Sequence, residues 1–272
     1  MNGEAVQEKG YTTDLLTDHA MEWLEGQRAR EDGRPFFLYL SHKAVHAEFD
    51  AAPRHRGRYA GKTLDESVGR VLDYLEASGL AESTLVIYIG DNGFLLGEHG
   101  LIDKRNAYEP AMRVPMLLYA PGLIAPGSMI TPMVRGIDIA PTILELASAT
   151  ATIDMDGRSV LPLLRGEHVT LPLEMLYEYY WEHAFPHTPT VFALREQRYK
   201  YIYYHGVWDA DELYDLGADP LERHNLIGDP AHRQRADALK GRLWDLLEQT
   251  GGMSIPLRRA GPWRADQRKP AK

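Results

Sequence analysis

The chain has no cysteine among its 272 residues. That absence excludes disulfide frameworks, thiolate metal sites and cysteine nucleophiles. No apolar run approaches the roughly 20 residues a membrane span needs, so no span is expected. The opening Met1-Asn-Gly-Glu-Ala-Val-Gln-Glu-Lys9 lacks the apolar core of a secretory leader and reads as a start inside a longer protein. Basic surplus is missing too: 39 acids outweigh 30 bases, for a net charge of −9. This balance argues against tracking a phosphate backbone, and no nucleic acid partner is expected. Internal repeats and low-complexity tracts are also absent. What remains, 44% apolar and 25% charged, is ordinary for a globular protein able to bury a core.

The most informative segment is Thr84-Leu-Val-Ile-Tyr-Ile89 running into Gly90-Asp91-Asn92-Gly93. Consecutive β-formers suggest a strand buried on both faces, as in a parallel sheet. Open α/β sheets build their sites at the carboxyl ends of such strands. A carboxylate beside an amide carbonyl offers two hard oxygens, suited to Ca²⁺ or Mg²⁺. Lys104 could hold an anion next to that metal. The same three residues also favour a plain turn.

Around this segment, helices and strands alternate. Thr12-Thr13-Asp14 is a plausible cap for a helix ending near Gly26. Pro35 to Leu40 reads as a strand and Ser41 to Arg58 as a long polar loop. Ser67 to Ala77 carries Val68, Val71, Leu72 and Leu75 at helical spacing. Arg113 to Tyr119 is another strand, and Asp138 can cap a helix from Ile139 through Ala149. This alternation argues for α/β layering around a mostly parallel sheet flanked by helices. Beyond about Leu171, strand-like runs at 174–180, 190–195 and 199–204 suggest a small antiparallel sheet. A terminal helix from Ala231 to Leu247 follows, with Ala238, Leu239, Leu243, Leu246 and Leu247 as its apolar face. Glu109 and Arg113 stand at i,i+4 and could pair on a helix surface.

The run from Tyr88 through Asp91-Asn-Gly-Phe-Leu-Leu-Gly-Glu-His-Gly100, Asp103-Lys-Arg105 and Tyr108-Glu-Pro to Val114-Pro115 resembles the second signature region of type I sulfatases. That family belongs to the alkaline phosphatase-like superfamily. Further blocks agree in order: Pro35 to His46, Leu64 to Leu75, Gly136 to Ala147, Asp156 to Leu164, Arg198-Tyr-Lys-Tyr201, Glu212 to Leu216 and His224-Asn-Leu226. The stretch from Tyr180 to Thr190 leans toward bacterial N-acetylglucosamine-6-sulfatases and mucin-desulfating enzymes. The resemblance implies a partial alkaline phosphatase-like fold. Residues 1–170 would form the C-terminal part of the α/β domain, 171–250 a small α+β subdomain and 251–272 a tail. The odd join at Gly61-Lys-Thr-Leu64 suggests an internal deletion near 63–64, where relatives carry a longer segment.

The resemblance also implies roles. Asp91 and Asn92 match metal ligands, for Ca²⁺ in most of the family. Lys104 matches a sulfate-pairing lysine, and His46 a histidine that contacts sulfate or protonates the leaving group. Lysine is a compact anion donor and histidine titrates near neutrality, so the chemistry fits. His99 could pack its loop or touch substrate, while His183 and His187 are candidates for sugar recognition. The family's nucleophile is a formylglycine made from Cys or Ser in Cys/Ser-x-Pro-x-Arg. Ser254-Ile-Pro-Leu-Arg258 is the only match and sits in the tail, so no nucleophile is assigned. The adjacent aspartates of the family's first strand have no counterpart either.

The leading expectation is therefore a truncated sulfuric ester hydrolase, inactive alone, whose family substrates are sulfated sugars or aryl sulfates. Two alternatives stand beside it. One is a phosphoester or phosphonate hydrolase of the same superfamily, and the other a non-catalytic remnant or binding module. Location follows the missing leader: periplasmic or extracellular if a longer form carries one, cytoplasmic as given.

Overall fold

The computed structural model describes residues 6–28, 34–44, 46, 52–55, 61–169, 173–206 and 210–255. Its elements in chain order are α1 (Thr12–Arg28), α2 (Gly61–Ala77), β1 (Val86–Ile89), α3 (Glu109–Met112), β2 (Met116–Tyr119), α4 (Ile139–Leu146), α5 (Leu161–Leu164), β3 (Glu174–Tyr179), β4 (Thr190–Glu196), β5 (Tyr199–His205), β6 (Glu212–Asp215) and α6 (Arg233–Thr250). Helices mix with two sheets, so the chain is α/β: β1 and β2 are hydrogen-bonded neighbours, and β3-β4-β5-β6 form a separate four-stranded sheet. The chain falls into two compact units. One comprises residues 1–86, 118–128 and 147–149, and the other residues 87–117, 129–146 and 150–272.

In the first unit, α1 packs on α2 through buried Thr13, Thr17, Ala20 and Leu24 on one helix and Ser67 and Leu75 on the other. Arg54 joins the pair, donating two hydrogen bonds to Asp14 at 2.7 and 2.8 Å and one to Glu66 at 2.9 Å. Helix α2 starts at Gly61 rather than Ser67, so its backbone is helical through the Gly61–Leu64 join. The strand expected at 35–40 has no ladder among the described residues. Its side chains still alternate, with Phe37 and Tyr39 exposed and Phe36 edge-on to Trp23. Extended backbone becomes a strand only where a neighbour supplies hydrogen bonds.

In the second unit, the antiparallel sheet is in continuous register, Tyr177 opposite Ala193 and Ala193 opposite Ile202. Period-two alternation divides β4 between two cores. Phe192 and Leu194, with Tyr201 and Leu213, pack on Ala236, Leu239, Leu243 and Leu247 of α6. Val191 and Ala193, with Ile202, Tyr204 and Tyr214, pack on Leu95, Ala107, Tyr108 and Ala111. One face of the sheet thus holds the terminal helix and the other holds the segment that follows β1. Fully burying each large apolar side chain contributes about 1.5–3 kcal/mol. The inward row of α6 includes Ala236 where Ala238 was expected, because 236, 239, 243 and 247 share one helical stripe. Helix α4 also ends earlier than expected, at Leu146, followed by Ser148 at positive φ.

Strand β1 was expected to be buried on both faces, yet all four of its residues are only half-buried. Its aliphatic run reflects a sheet interior that a two-stranded piece does not supply.

Candidate functional site

Strand β1 delivers Asp91-Asn92-Gly93 to a backbone crossing. The Gly93 N–H donates to Ala111 O at 2.9 Å, and a Cβ at Gly93 would collide with the Pro110 carbonyl. Only glycine lets the turn approach α3 so closely. Within the turn, the Asn92 N–H donates to Asp91 Oδ1 at 2.9 Å, and Asn92 Nδ2 donates to Gly93 O at 2.7 Å. The second bond fixes the amide with its oxygen outward.

That oxygen is where Lys104 arrives. Lys104 Nζ donates to Asn92 Oδ1 at 2.9 Å, joining two sequence-predicted site residues twelve positions apart. The intervening loop is closed by backbone bonds from Leu95 to Asp103 and from Gly97 to Leu101, at 2.8 and 2.9 Å. His99 sits at its tip with φ +54°, a left-handed conformation uncommon outside glycine. Its ring stacks on Tyr108, centroids 3.8 Å apart. Tyr108 in turn donates to Glu212 Oε1 at 3.1 Å, as does Tyr204, while Tyr214 donates to Glu212 Oε2 at 2.8 Å. Burial pushes the Tyr108 hydroxyl up to about 12, so it remains a donor at neutral pH.

The residues flanking Lys104 hold the β3–β4 connection. Arg105 lies over the Phe185 ring, 3.1 Å from its centroid, and donates to Asp103 at 2.6 Å. Thr188 reaches Asp103 at 3.4 Å. His183 and His187 ride on this anchored connection, both exposed, with His183 edge-on to Trp181.

His46 belongs to the other unit. Its backbone N–H donates to Lys43 O at 2.9 Å, closing a tight turn that leaves the residue exposed. The neighbouring His42 points inward to Thr17 Oγ1 at 3.1 Å, and its partial burial lowers its basicity.

Glu109 does not form the i,i+4 pair with Arg113 that their spacing suggested. Its carboxylate accepts from Lys200 at 3.1 Å and from Arg195 at 3.4 Å. Lys200 is fully buried and also pairs with Glu222, which accepts the Glu109 N–H at 2.7 Å. Burial would push the Glu109 carboxyl up, but the two cations beside it hold it below the usual range; for Glu222, burial wins and raises it. A buried lysine demands such partners, and Arg113, exposed at the end of α3, offers no match for that need. Lys200 and Glu222 escaped the sequence reading. The available signal was a lysine in register with Ile202 and Tyr204 on the inward row of β5.

Two hard oxygens, from Asp91 and Asn92, do not make a Ca²⁺ site, since the ion takes 6–8 oxygens. No cluster of three or more His, Cys, Asp or Glu able to hold a metal occurs among the described residues. Asn92 Oδ1 is moreover already engaged by Lys104. The described residues therefore do not fit a complete calcium site.

Comparison with known proteins identifies the family. The sulfatase family model matches residues 2–149, and the C-terminal model of N-sulphoglucosamine sulphohydrolase matches residues 97–249. An N-acetylglucosamine-6-O-sulfatase of Bacteroides thetaiotaomicron is 26% identical over 358 aligned positions, covering 92% of this chain and 63% of the relative. A choline-sulfatase of Rhizobium meliloti is 39% identical over 170 positions, covering 61% of this chain and 31% of that enzyme. A solved structure described as a complex with its substrate D-glucosamine-2-N,6-O-disulfate superposes with a TM-score of 0.85 at 24% identity, covering 95% of this chain and 74% of the other. The chain thus spans less than two thirds of the length of these two curated relatives. With family models matching more than half of its residues and the Asp91–Lys104 block folded as described, this chain belongs to the sulfatase family.

Proposed function

We propose that this chain holds the sulfate ester of an amino sugar through Lys104 but does not cleave it by itself. The observation that carries the reading is the 2.9 Å bond from Lys104 Nζ to Asn92 Oδ1. It fixes a compact ammonium at the carboxyl end of a strand, where it can take an oxyanion. Family membership and the named relatives support sulfate esters of sugars as the substrate class; aryl sulfates are a further candidate. His183 and His187, on the connection anchored at Asp103 and Arg105, are proposed to meet the sugar, and His99 to line the loop edge. His46 enters as the acid for the leaving alcohol on its sequence context alone.

Cleavage needs an in-line nucleophile and charge stabilisation around the remaining sulfate oxygens. The chain has no cysteine to convert, and Ser254-Ile-Pro-Leu-Arg258 continues past residue 255 outside the described residues. In the family generally a metal ion supplies the missing charge, and Asp91 and Asn92 are proposed as only part of its ligand set. The match to the Bacteroides relative runs over 358 positions, more than the 272 residues here, which supports an internal deletion such as that inferred near 63–64.

Calorimetric titration of glucosamine 6-sulfate into the chain and its Lys104→Ala variant tests the reading. Loss of a charge-assisted hydrogen bond should weaken binding about tenfold. Equal affinities for both proteins would remove Lys104 from the site and with it the proposal.

A further inference from the structure

We propose a second oxyanion site, separate from Asp91, Asn92 and Lys104, in a cleft of about 330 Å³ lined by Glu109, Arg113, Arg195, Gln197, Arg198 and Leu216. Three arginines line this small space. Their existing partners leave donors over. Arg198 spends Nε and Nη2 on Asp215, at 2.9 and 2.6 Å, and Nη1 lies outside that pair. Arg195 reaches Glu109 only at 3.4 Å from both Nε and Nη2, long for a charged pair whose usual range is about 2.7–2.9 Å, while its Nη1 donates to Glu196 O at 3.2 Å. Lys200 takes the same carboxylate more closely, at 3.1 Å. Arg113 is exposed and has no ion pair among the described residues.

The charges do not cancel. Arg195 and Lys200 share Glu109, Lys200 also meets Glu222, and Arg198 meets Asp215, so with Arg113 on the lining four cations stand against three carboxylates. Burial raises the Glu222 carboxyl, which widens the excess when that group is protonated. In a chain of net charge −9, a positive hollow is a local feature and not a general affinity for anions. Guanidinium forks match the spacing of sulfate and phosphate oxygens, and the exposed Gln197 amide adds donors at the rim. The ligand class is a tetrahedral oxyanion, either free or carried as an ester on a sugar. This inference does not rest on the sulfatase reading, because it needs only the arginine geometry.

The test follows backbone amide signals of residues 195–198 and 216–217 by NMR, using the whole chain at constant ionic strength. Inorganic sulfate, inorganic phosphate and a sulfated disaccharide are titrated in separate arms, with chloride as control. The expected result is a saturable shift of these signals with the oxyanions and none with chloride. Equal affinities for inorganic and sugar-borne anions identify a free ligand, and a tighter disaccharide identifies an ester. Arg113→Ala should weaken binding about tenfold, and Gln197→Glu, which sets a carboxylate at an exposed rim position, should do the same. Lys104→Ala should leave the shifts unchanged. The proposal is overturned by absent or non-saturable shifts, by shifts that persist in both cleft variants, or by shifts that vanish in Lys104→Ala.

Discussion

Lys104 shows how a single side chain acquires a fixed pose. Its ammonium is oriented by the Asn92 carbonyl, whose amide is itself held by the Gly93 carbonyl. Gly93 is in turn required by the Pro110 crossing. Asp215 offers the clearest titration at this scale. The Arg198 guanidinium beside it holds its carboxyl at about 2, against an ordinary value of 3.8. A depressed folded-state value contributes stability that is complete above about pH 4 and is lost as the pH falls toward 2. Asp215→Asn should therefore lower the thermal midpoint at pH 6, and the two melting curves should converge near pH 2. A midpoint difference of the same size at both pH values would contradict the assignment.

Among the elements, the antiparallel sheet was almost fully legible. The runs at 174–180, 190–195 and 199–204 became β3, β4 and β5 because aromatic and β-branched residues declare strands in their own sequence. Only β6 had no strand prediction, although its Glu212-Leu-Tyr-Asp215 core lay in a block singled out for resemblance. The polar contacts across elements were less visible. Glu109 and Arg113 satisfy a helical spacing rule, yet α3 lasts four residues and Glu109 turns toward β4 and β5. Spacing rules see one element at a time, and a buried ion pair is set by two. Lys200 is the test of that pairing. Lys200→Met should cost about 3 kcal/mol or more at pH 7–8, by leaving Glu109 and Glu222 without their buried cation. The loss should shrink at pH 4, below the ordinary carboxyl value of 4.5 that burial raises at Glu222, because a protonated Glu222 no longer needs the cation. Urea midpoints at the two pH values measure it, and a pH-independent loss would mean that packing, not charge, dominates.

Across the whole molecule, the family was legible because its motifs are contiguous: the residues from Tyr88 to Pro115 carry strand, turn, loop and Lys104 in one block. The expected strand at 35–40 illustrates the limit. Its sequence is strand-like, but pairing depends on neighbours, and the sequence does not state where they are. The proposed metal site has the same character, since two oxygens from one turn need ligands from elsewhere. Calorimetry with Ca²⁺ should accordingly show binding weaker than the micromolar range, and clear micromolar binding would mean that further ligands complete the site.

We propose that this chain grips a sulfate ester without hydrolysing it, and one NMR time course addresses both halves. Glucosamine 6-sulfate in excess is incubated with the protein and Ca²⁺ while its proton spectrum is recorded with saturation of the protein. Saturation transfer to the sugar protons nearest the sulfate, with no desulfated sugar accumulating, is the result the account predicts. Desulfated product growing past one equivalent of protein, or no transfer at all, would contradict it.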